Sequence, residues 1–442
     1  MSLKVAFQTL GCKVNYYETE ALREQFRKEG FSLVPFKAWA DVYIINTCTV
    51  THLADRKSRQ IVRQARRQNP QGMVVVCGCY SQVEPDAVAA LPGVDLVAGT
   101  TQRLILPSLI KKKLQGEEVL HNVQPYGHKG HFEKLPWTPE QDRTRAFLKI
   151  QDGCDRYCSY CVIPLARGPL RSLPSSQALQ SLREIIDAGY LEIVLTGVHL
   201  GLYGVDLNPP KTLAALLNKA VHLPGIQRLR LSSIEPADFS EGLINVIGKN
   251  NNICPHLHIP LQSGDDTILR RMGRHYDTDY YRTLLNNLRV VIPDLAVSSD
   301  VIVGFPGETD KHFKNTLSFV EECGFSRLHV FPFSPRRGTR AEKMTPVVSP
   351  AVKKERSREM IALGKILSRK FYHSFDGCIL PVLFEKTVKV KDMGEAHAPM
   401  LLEGLTTNYL RVRVHATADL RGQIRNVLLQ STTEEYLKGT IH

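Results

Sequence analysis

Three cysteines, Cys154, Cys158 and Cys161, lie within GCDRYCSYC at residues 153–161, in the pattern Cys-x3-Cys-x2-Cys. Soft thiolates at this spacing suit zinc or an iron–sulfur cluster. Three ligands are one short of a closed tetrahedral set. A cluster held on three cysteines keeps one iron open for a substrate or cofactor, as catalytic zinc keeps one position free. The plainer alternatives are a zinc site completed from elsewhere, or inert buried cysteines.

Three further cysteines sit at comparable places near the N-terminus. Cys12 closes TLGC, Cys48 closes INTC and Cys79 lies in VCGCY. Each follows a stretch with strand character. Parallel strands bring their C-terminal ends to one edge, so these thiols can converge although they are 36 and 31 residues apart. The competing interpretation is three unrelated buried cysteines, since cysteine is often buried. Cys77 is expected inside its strand as a structural residue, and Cys254, Cys323 and Cys378 as core residues.

Both trios need a scaffold that aligns strand ends. Over residues 1–100 strands and helices alternate: KVAFQTLG (4–11), a helix over 15–30, DVYIINTC (41–48), a helix from Leu53 to Gln68, GMVVVCGCY (72–80) and VDLVAGT (94–100). That alternation predicts a parallel sheet covered by helices. Residues 111–143 are polar with scattered Gly and Pro, and read as a linker or covering segment. From Arg145 a second series supplies strands AFLKIQ (146–151), EIVLTG (192–197), RLRLSS (228–233), HLHIPL (256–261), SSDVIVGF (298–305) and LHVFPF (328–333). Six such units suit a partial (β/α)6 barrel better than a closed one of eight. A helix over 349–372 follows, and beyond about 376 the pattern changes to period two, which predicts a small antiparallel β-barrel or sandwich. The expected division is an N-terminal α/β domain (1–112), a linker (113–143), the partial barrel (144–375) and a C-terminal β-barrel (376–442).

The chain has 442 residues with 57 Lys and Arg against 44 Asp and Glu, a net charge of +13. Such an excess favours a polyanionic partner, nucleic acid first. Arg56, Arg59, Arg63, Arg66 and Arg67 fall at steps of three and four in the helix after Cys48, on one face. This stripe is either a solvated surface or a phosphate-binding face. SPRRGTRAEK (334–343) adds Arg336 and Arg337, and Arg411 and Arg413 alternate along one strand near the C-terminus. No run of eighteen apolar residues appears, and the first twenty residues lack the features of a signal peptide. A cytoplasmic protein without a membrane partner is expected, in which ten cysteines point to metal or redox chemistry before disulfides.

The central triplet resembles that of the radical S-adenosylmethionine (SAM) superfamily, and GCDRYCSYCVIPLARGPLRS (153–172) is similar to its methylthiotransferase branch. LGCKVNYYETE (10–20), INTCTVTHLADRKSRQ (45–60) and VVCGCYSQ (76–83) resemble the N-terminal domain of that branch. The resemblance implies two 4Fe–4S clusters, one on Cys154, Cys158 and Cys161 that binds SAM, and an auxiliary one on Cys12, Cys48 and Cys79. It implies SAM contacts at Tyr160, at Thr196 and Gly197 in VLTGVHLG, at Ser233 and Glu235 in LSSIEP, and at Gln262, Val303 and Gly304. Thr196 and Gly197 could equally form a simple turn, and Ser233 or Glu235 could cap a helix. His199, His256 and His258 are expected to be hydrogen-bonded core residues. The C-terminal segment resembles the TRAM RNA-binding barrel.

Within the branch the substrates are isopentenyl- or threonylcarbamoyl-adenosine beside a tRNA anticodon, or an aspartate of a ribosomal protein. INTCTVTHLADRKSRQ together with RGPLRS is most similar to the threonylcarbamoyladenosine enzymes, which act at C2 of that base at position 37. Leu173 departs from relatives that often carry another arginine there. The implied partners are the anticodon stem-loop of tRNA and an electron donor such as flavodoxin or ferredoxin, with the chain a monomer. An RNA-binding protein with structural metal sites is the non-enzymatic alternative.

Overall fold

The computed structural model describes residues 2–118, 121–126, 131–139, 143–388, 400–433 and 435–442. Its N-terminal part is a parallel sheet built from β1 (Lys4–Thr9), β2 (Ser32–Val34), β3 (Val42–Thr47), β4 (Met73–Gly78), β5 (Leu96–Ala98) and β6 (His121–Asn122), in the order β2-β1-β3-β4-β5-β6. Every pairing in it is parallel. The central strands β3 and β4 are buried along their whole length, which their near-continuous apolar runs anticipate. Helix α1 (Lys13–Lys28) places Leu22 and Phe26 on one face of the sheet with Val5, Ile44, Val75 and Cys77. Helix α2 (His52–Gln68) places Val62 and Ala65 on the other with Tyr43, Ile45 and Val76. Cys77 is thus a core residue, as expected. The edge strands β2 and β6 are too short to leave a periodic signal in the sequence.

The second region contains all six expected strands: β7 (Arg145–Lys149), β8 (Glu192–Thr196), β9 (Arg228–Leu231), β10 (His256–His258), β11 (Ala296–Val303) and β12 (Arg327–Pro332). They form two parallel three-stranded sheets, β9-β8-β7 and β10-β11-β12. Parallel bridges Leu229–Ile253 and Ser233–His258 join them into one open wall. Val297, Val301 and Val303 of β11 enter the main apolar core, while Ser298 and Asp300 face the other way and bond His258. Among the described residues of the expected linker, Leu135 is buried and its carbonyl accepts from the Tyr17 hydroxyl at 3.0 Å. The segment therefore covers the seam between the two regions.

The last region is a closed five-stranded barrel of β13 (Ile379–Val388), β14 (Met400–Thr406), β15 (Arg411–Ala416), β16 (Ile424–Thr432) and β17 (Leu437–Ile441). Its ladders are antiparallel except the short seam between β15 and β17, which is parallel. Closure leaves no free strand edge. Arg228 and Arg230 share one face of β9 and dock this barrel. Arg228 donates to the carbonyls of Pro381 at 2.8 Å and Leu405 at 3.2 Å, and Arg230 to that of Thr407 at 2.9 Å.

Candidate active site

The N-terminal cysteines meet at one edge of the sheet because the backbone there is unusually tight. Gly11 has φ +107°, and a side chain on it would meet Cys48 Cβ at 2.8 Å and Cys48 Sγ at 3.2 Å. Gly78 has φ +96°, and a Cβ there would lie 2.4 Å from Asn46 Oδ1 and 2.6 Å from the Thr47 carbonyl. Only glycine fits at either position. Cys79 then opens the short helix Cys79–Val83, while Cys12 sits at the head of α1. The Asn15 amide donates to the carbonyls of Leu10 at 2.8 Å and Thr47 at 3.0 Å, so one side chain ties the loops bearing Cys12 and Cys48. Burial pushes the Cys48 thiol up to about 12, with the Cys79 thiol beside it adding to the effect, and burial raises Cys79 as well.

The second trio lies on the loop after Gln151–Asp152. The Cys154 N–H donates to the Gly168 carbonyl at 3.0 Å, and Cys161 N–H to that of Cys158 at 3.0 Å. Ser159 is pinned by the Met272 carbonyl at 2.8 Å. Tyr157 forms the exposed tip with φ +48°. Two nitrogen-bearing side chains address the sulfurs. His199 Nδ1 lies 3.3 Å from Cys154 Sγ, and its Nε2 lies 2.6 Å from Asp238. Burial works against its charge, but the bonds to Asp238 and Cys154 lift it to about 9. Arg274 donates to Cys158 Sγ at 3.3 Å and pairs with Glu235. Burial pushes Cys161 up to about 12 and raises Cys158.

These donor sets fit iron–sulfur clusters. All six cysteines are free of disulfides. Buried thiols held against ionisation need a metal to stabilise their thiolates, and nitrogen groups of His199 and Arg274 already face two of the sulfurs. Among the described residues, the one group of His, Cys, Asp and Glu atoms all within 4.8 Å of one another is His258, Asp300 and His329. The three sulfurs of neither cysteine trio all lie within 4.8 Å of one another.

The candidate SAM contacts divide. Tyr160 packs edge-on against Phe305, and its hydroxyl accepts from Arg274 at 3.5 Å beside Glu235, next to the central trio. Glu235 makes no helix cap. Thr196 ends β8, and a side chain on Gly197 would press into Gln151 at 2.9 Å. Ser233 and Gln262 form single bridges at strand ends, Gln262 with φ +67°. Val303 departs from expectation: it is fully buried among the residues of the apolar core. Gly304 departs too, because its N–H donates to Glu308 and a Cβ there would lie 2.4 Å from Lys353 Cγ. It makes room for packing. His256 behaves as expected, stacked 4.5 Å from Tyr409 in the interior. His199 is likewise buried and hydrogen-bonded, to Asp238, and it also touches a cysteine sulfur. Arg274 was missed; its one signal is a charged residue directly after a helix-ending glycine.

Of the candidate RNA contacts, Arg56, Arg63, Arg67 and Arg337 are exposed. Arg59 is half-buried near the Tyr80 hydroxyl at 3.4 Å. Arg66 is a correction: it donates to the carbonyls of Pro70, Gly72 and Gly93, each at 2.9 Å, and pairs with Asp95 at 2.6 Å. Arg336 is another. It is 2% exposed, pairs with Asp55 at 2.7 Å and donates to Thr49, so it braces the loop after Cys48. Arg413 and Arg411 both face Glu403, at 2.8 and 3.6 Å, and Arg413 lies over the Tyr436 ring. A cleft of about 990 Å³ opens beside the central loop, lined by Tyr126, Tyr157, Leu165 and Arg337 among others.

Comparison with known proteins adds an independent line. Residues 4–99 match the family described as "Uncharacterized protein family UPF0004", and residues 148–320 match the radical SAM superfamily. The chain is 42% identical over 98% of its length, and 95% of the relative's, to "Threonylcarbamoyladenosine tRNA methylthiotransferase MtaB" of Bacillus subtilis (strain 168). It is 41% identical to the Thermotoga maritima protein of that name, over 86% of each chain. It is 32% identical to "tRNA-2-methylthio-N(6)-dimethylallyladenosine synthase" of Geobacillus thermodenitrificans, over 99% of this chain and 83% of that one. Among solved structures, the radical SAM methyltransferase TsrM from Kitasatospora setae, with cobalamin and a [4Fe-4S] cluster bound, aligns with a TM-score of 0.58. That alignment covers 83% of this chain and 89% of that one at 14% identity, a likeness of fold.

Proposed function

This chain belongs to the radical SAM tRNA methylthiotransferases, enzymes that use 4Fe–4S clusters and SAM, and we propose that it inserts a methylthio group at C2 of N6-threonylcarbamoyladenosine at position 37 of tRNA. The observation that carries this reading is the presence of two open three-cysteine sites in one chain that matches the threonylcarbamoyladenosine enzymes over nearly its whole length. Cys154, Cys158 and Cys161 hold the SAM cluster, and Cys12, Cys48 and Cys79 the auxiliary one. When bound, the first supplies the electron that cleaves SAM to a carbon radical, and the second carries the sulfur to be transferred.

The chain's own residues place and insulate these groups. His199, held by Asp238, and Arg274, held by Glu235, compensate charge at Cys154 and Cys158. Tyr160, Glu235, Thr196, Gly197, Ser233 and Gln262 are the SAM-side contacts. The exposed arginines of α2, with Arg337, receive the phosphates of the anticodon stem-loop. We assign residues 1–112, 144–375 and 376–442 to auxiliary-cluster, SAM and RNA-binding domains. The chain acts as a cytoplasmic monomer reduced by flavodoxin or ferredoxin. Among the described residues no helix is long and apolar enough to cross a membrane.

Deleting the protein from its host and analysing tRNA nucleosides by mass spectrometry tests the proposal. The methylthio derivative of threonylcarbamoyladenosine should disappear and its precursor accumulate. Persistence of that derivative would refute the substrate assignment, and loss of the dimethylallyl derivative instead would move the chain to the other tRNA class.

A further inference from the structure

Arg167 lies six residues after Cys161, at the end of the short helix Ile163–Arg167, and its side chain crosses into the N-terminal region. It is 1% exposed. Its Nε donates to Cys79 Sγ at 3.3 Å, and its Nη2 donates to Asn15 Oδ1. The same Asn15 holds the carbonyls just before Gly11–Cys12 and just before Cys48. Arg167 thus touches one auxiliary cysteine directly and the loops of the other two through one intermediary. Its other contacts are Glu18, with Oε2 at 3.0 Å, and Asp152 at 3.5 Å, the latter ending the short strand Gln151–Asp152 two residues before Cys154. The next residue along the chain, Gly168, accepts the Cys154 N–H. Two consecutive residues therefore grip a sulfur of one trio and the backbone of the other.

We propose that Arg167 is a positioning residue for the auxiliary cluster, supplied by the SAM-binding loop, which sets that cluster's reduction potential and fixes its distance from the SAM site. The proposal rests on the assignment of Cys12, Cys48 and Cys79 as its ligands. The physical basis is general. A hydrogen bond and a positive charge at a ligating sulfur favour the more negatively charged, reduced state, and so raise the potential. Arg103 is the internal contrast: it pairs with the same Glu18 at 3.1 Å but touches none of the three auxiliary cysteines.

The test uses the full chain with Cys154, Cys158 and Cys161 replaced by alanine, reconstituted anaerobically with iron and sulfide, so that only the auxiliary site is loaded. About four irons per chain are expected. Redox titration followed by EPR should give a lower potential for Arg167→Gln than for the parent, with Arg167→Lys recovering part of the shift because it keeps the charge. Arg103→Lys should lower thermal stability and leave the potential unchanged. Because Arg167→Gln removes a cation from a buried network and can fail to fold, the unmutated side chain is also probed directly. Pulsed EPR of the reduced cluster in protein labelled with 15N-arginine should show coupling to an arginine nitrogen. Absence of iron overturns the ligand assignment and the proposal with it. Four irons with no nitrogen coupling, or an unchanged potential in folded Arg167→Gln, overturn the role of Arg167 alone.

Discussion

The Arg230 guanidinium lies 4.7 Å from the Tyr409 ring centroid, joining the base of the SAM barrel to a loop of the C-terminal barrel. Arg230 is wholly buried and pairs with Glu192 at 2.6 Å, while its remaining donors reach the carbonyls of Thr406 and Thr407. Tyr409 has φ +69°, and its ring stacks on His256. The C-terminal barrel is thus seated by a polar plug. Removing one partner of a buried pair leaves the other charge stranded, at a cost of about 3–5 kcal/mol. Arg228 and Arg145 also approach Glu192, which puts Arg230→Ala at the lower end of that range. Urea denaturation should show that loss, and an unaltered midpoint would mean the plug contributes nothing.

The two close-approach glycines separate the clusters experimentally. A Cβ on Gly78 meets Asn46 and the Thr47 backbone, and one on Gly11 meets Cys48 itself. Either alanine variant should therefore lose the auxiliary cluster, lowering iron from about eight to about four per chain. Reductive cleavage of SAM should continue, since Cys154, Cys158 and Cys161 lie on a separate loop. Loss of SAM cleavage together with all the iron would show that the two sites fold as one unit.

The backbone scaffold was largely legible in the sequence. Strands β3, β4 and β8 follow from near-continuous apolar runs that burial on both faces imposes, and glycines close or directly follow β4, β8 and β11. The cysteine trios were legible because strand ends in a parallel sheet share an edge. Side-chain partnerships were not. Arg66 and Arg56 look alike in a helical stripe, yet a turn two strands away supplies carbonyls and Asp95 to one and nothing comparable to the other. Arg336 lies more than 280 residues from its partners Thr49 and Asp55, a separation no local pattern reports. His199 is the buried, hydrogen-bonded histidine expected, but its partners Cys154 and Asp238 lie 45 and 39 residues away, so its contact with a sulfur left no local signal.

Cys77 and Cys79 offer a sharp contrast at two positions of one segment. Cys77 packs among Phe26, Ile44 and Leu96, whereas Cys79 faces Arg167 at the sheet edge. Cys79→Ala should halve the bound iron, while Cys77→Ala should retain it and cost on the order of 1 kcal/mol of stability from the small cavity. Iron analysis and thermal unfolding of the two variants decide this, and the reverse pattern of iron loss would reassign the third auxiliary ligand to Cys77.

The arginine stripe of α2 separates phosphate-binding side chains from structural ones. Arg56, Arg63 and Arg67 are exposed and sit on the helix that begins four residues after Cys48. Each phosphate they neutralise releases counterions, so replacing them should flatten the salt dependence of tRNA binding by roughly 0.7–0.9 in log–log slope for every phosphate no longer neutralised. The triple variant to alanine should therefore bind tRNA more weakly at low salt and converge with the parent at high salt, without losing stability. Arg66→Ala should do the opposite. Its bonds to Asp95 and three carbonyls tie α2 to the turn before β5, and hydrogen bonds from a charged donor contribute about 1.5–3 kcal/mol. It should lower the unfolding midpoint and leave the salt slope intact. Equal slopes for the triple variant and the parent would remove α2 from the RNA interface and leave Arg337, exposed and lining the same cleft as Tyr157, as the candidate phosphate contact.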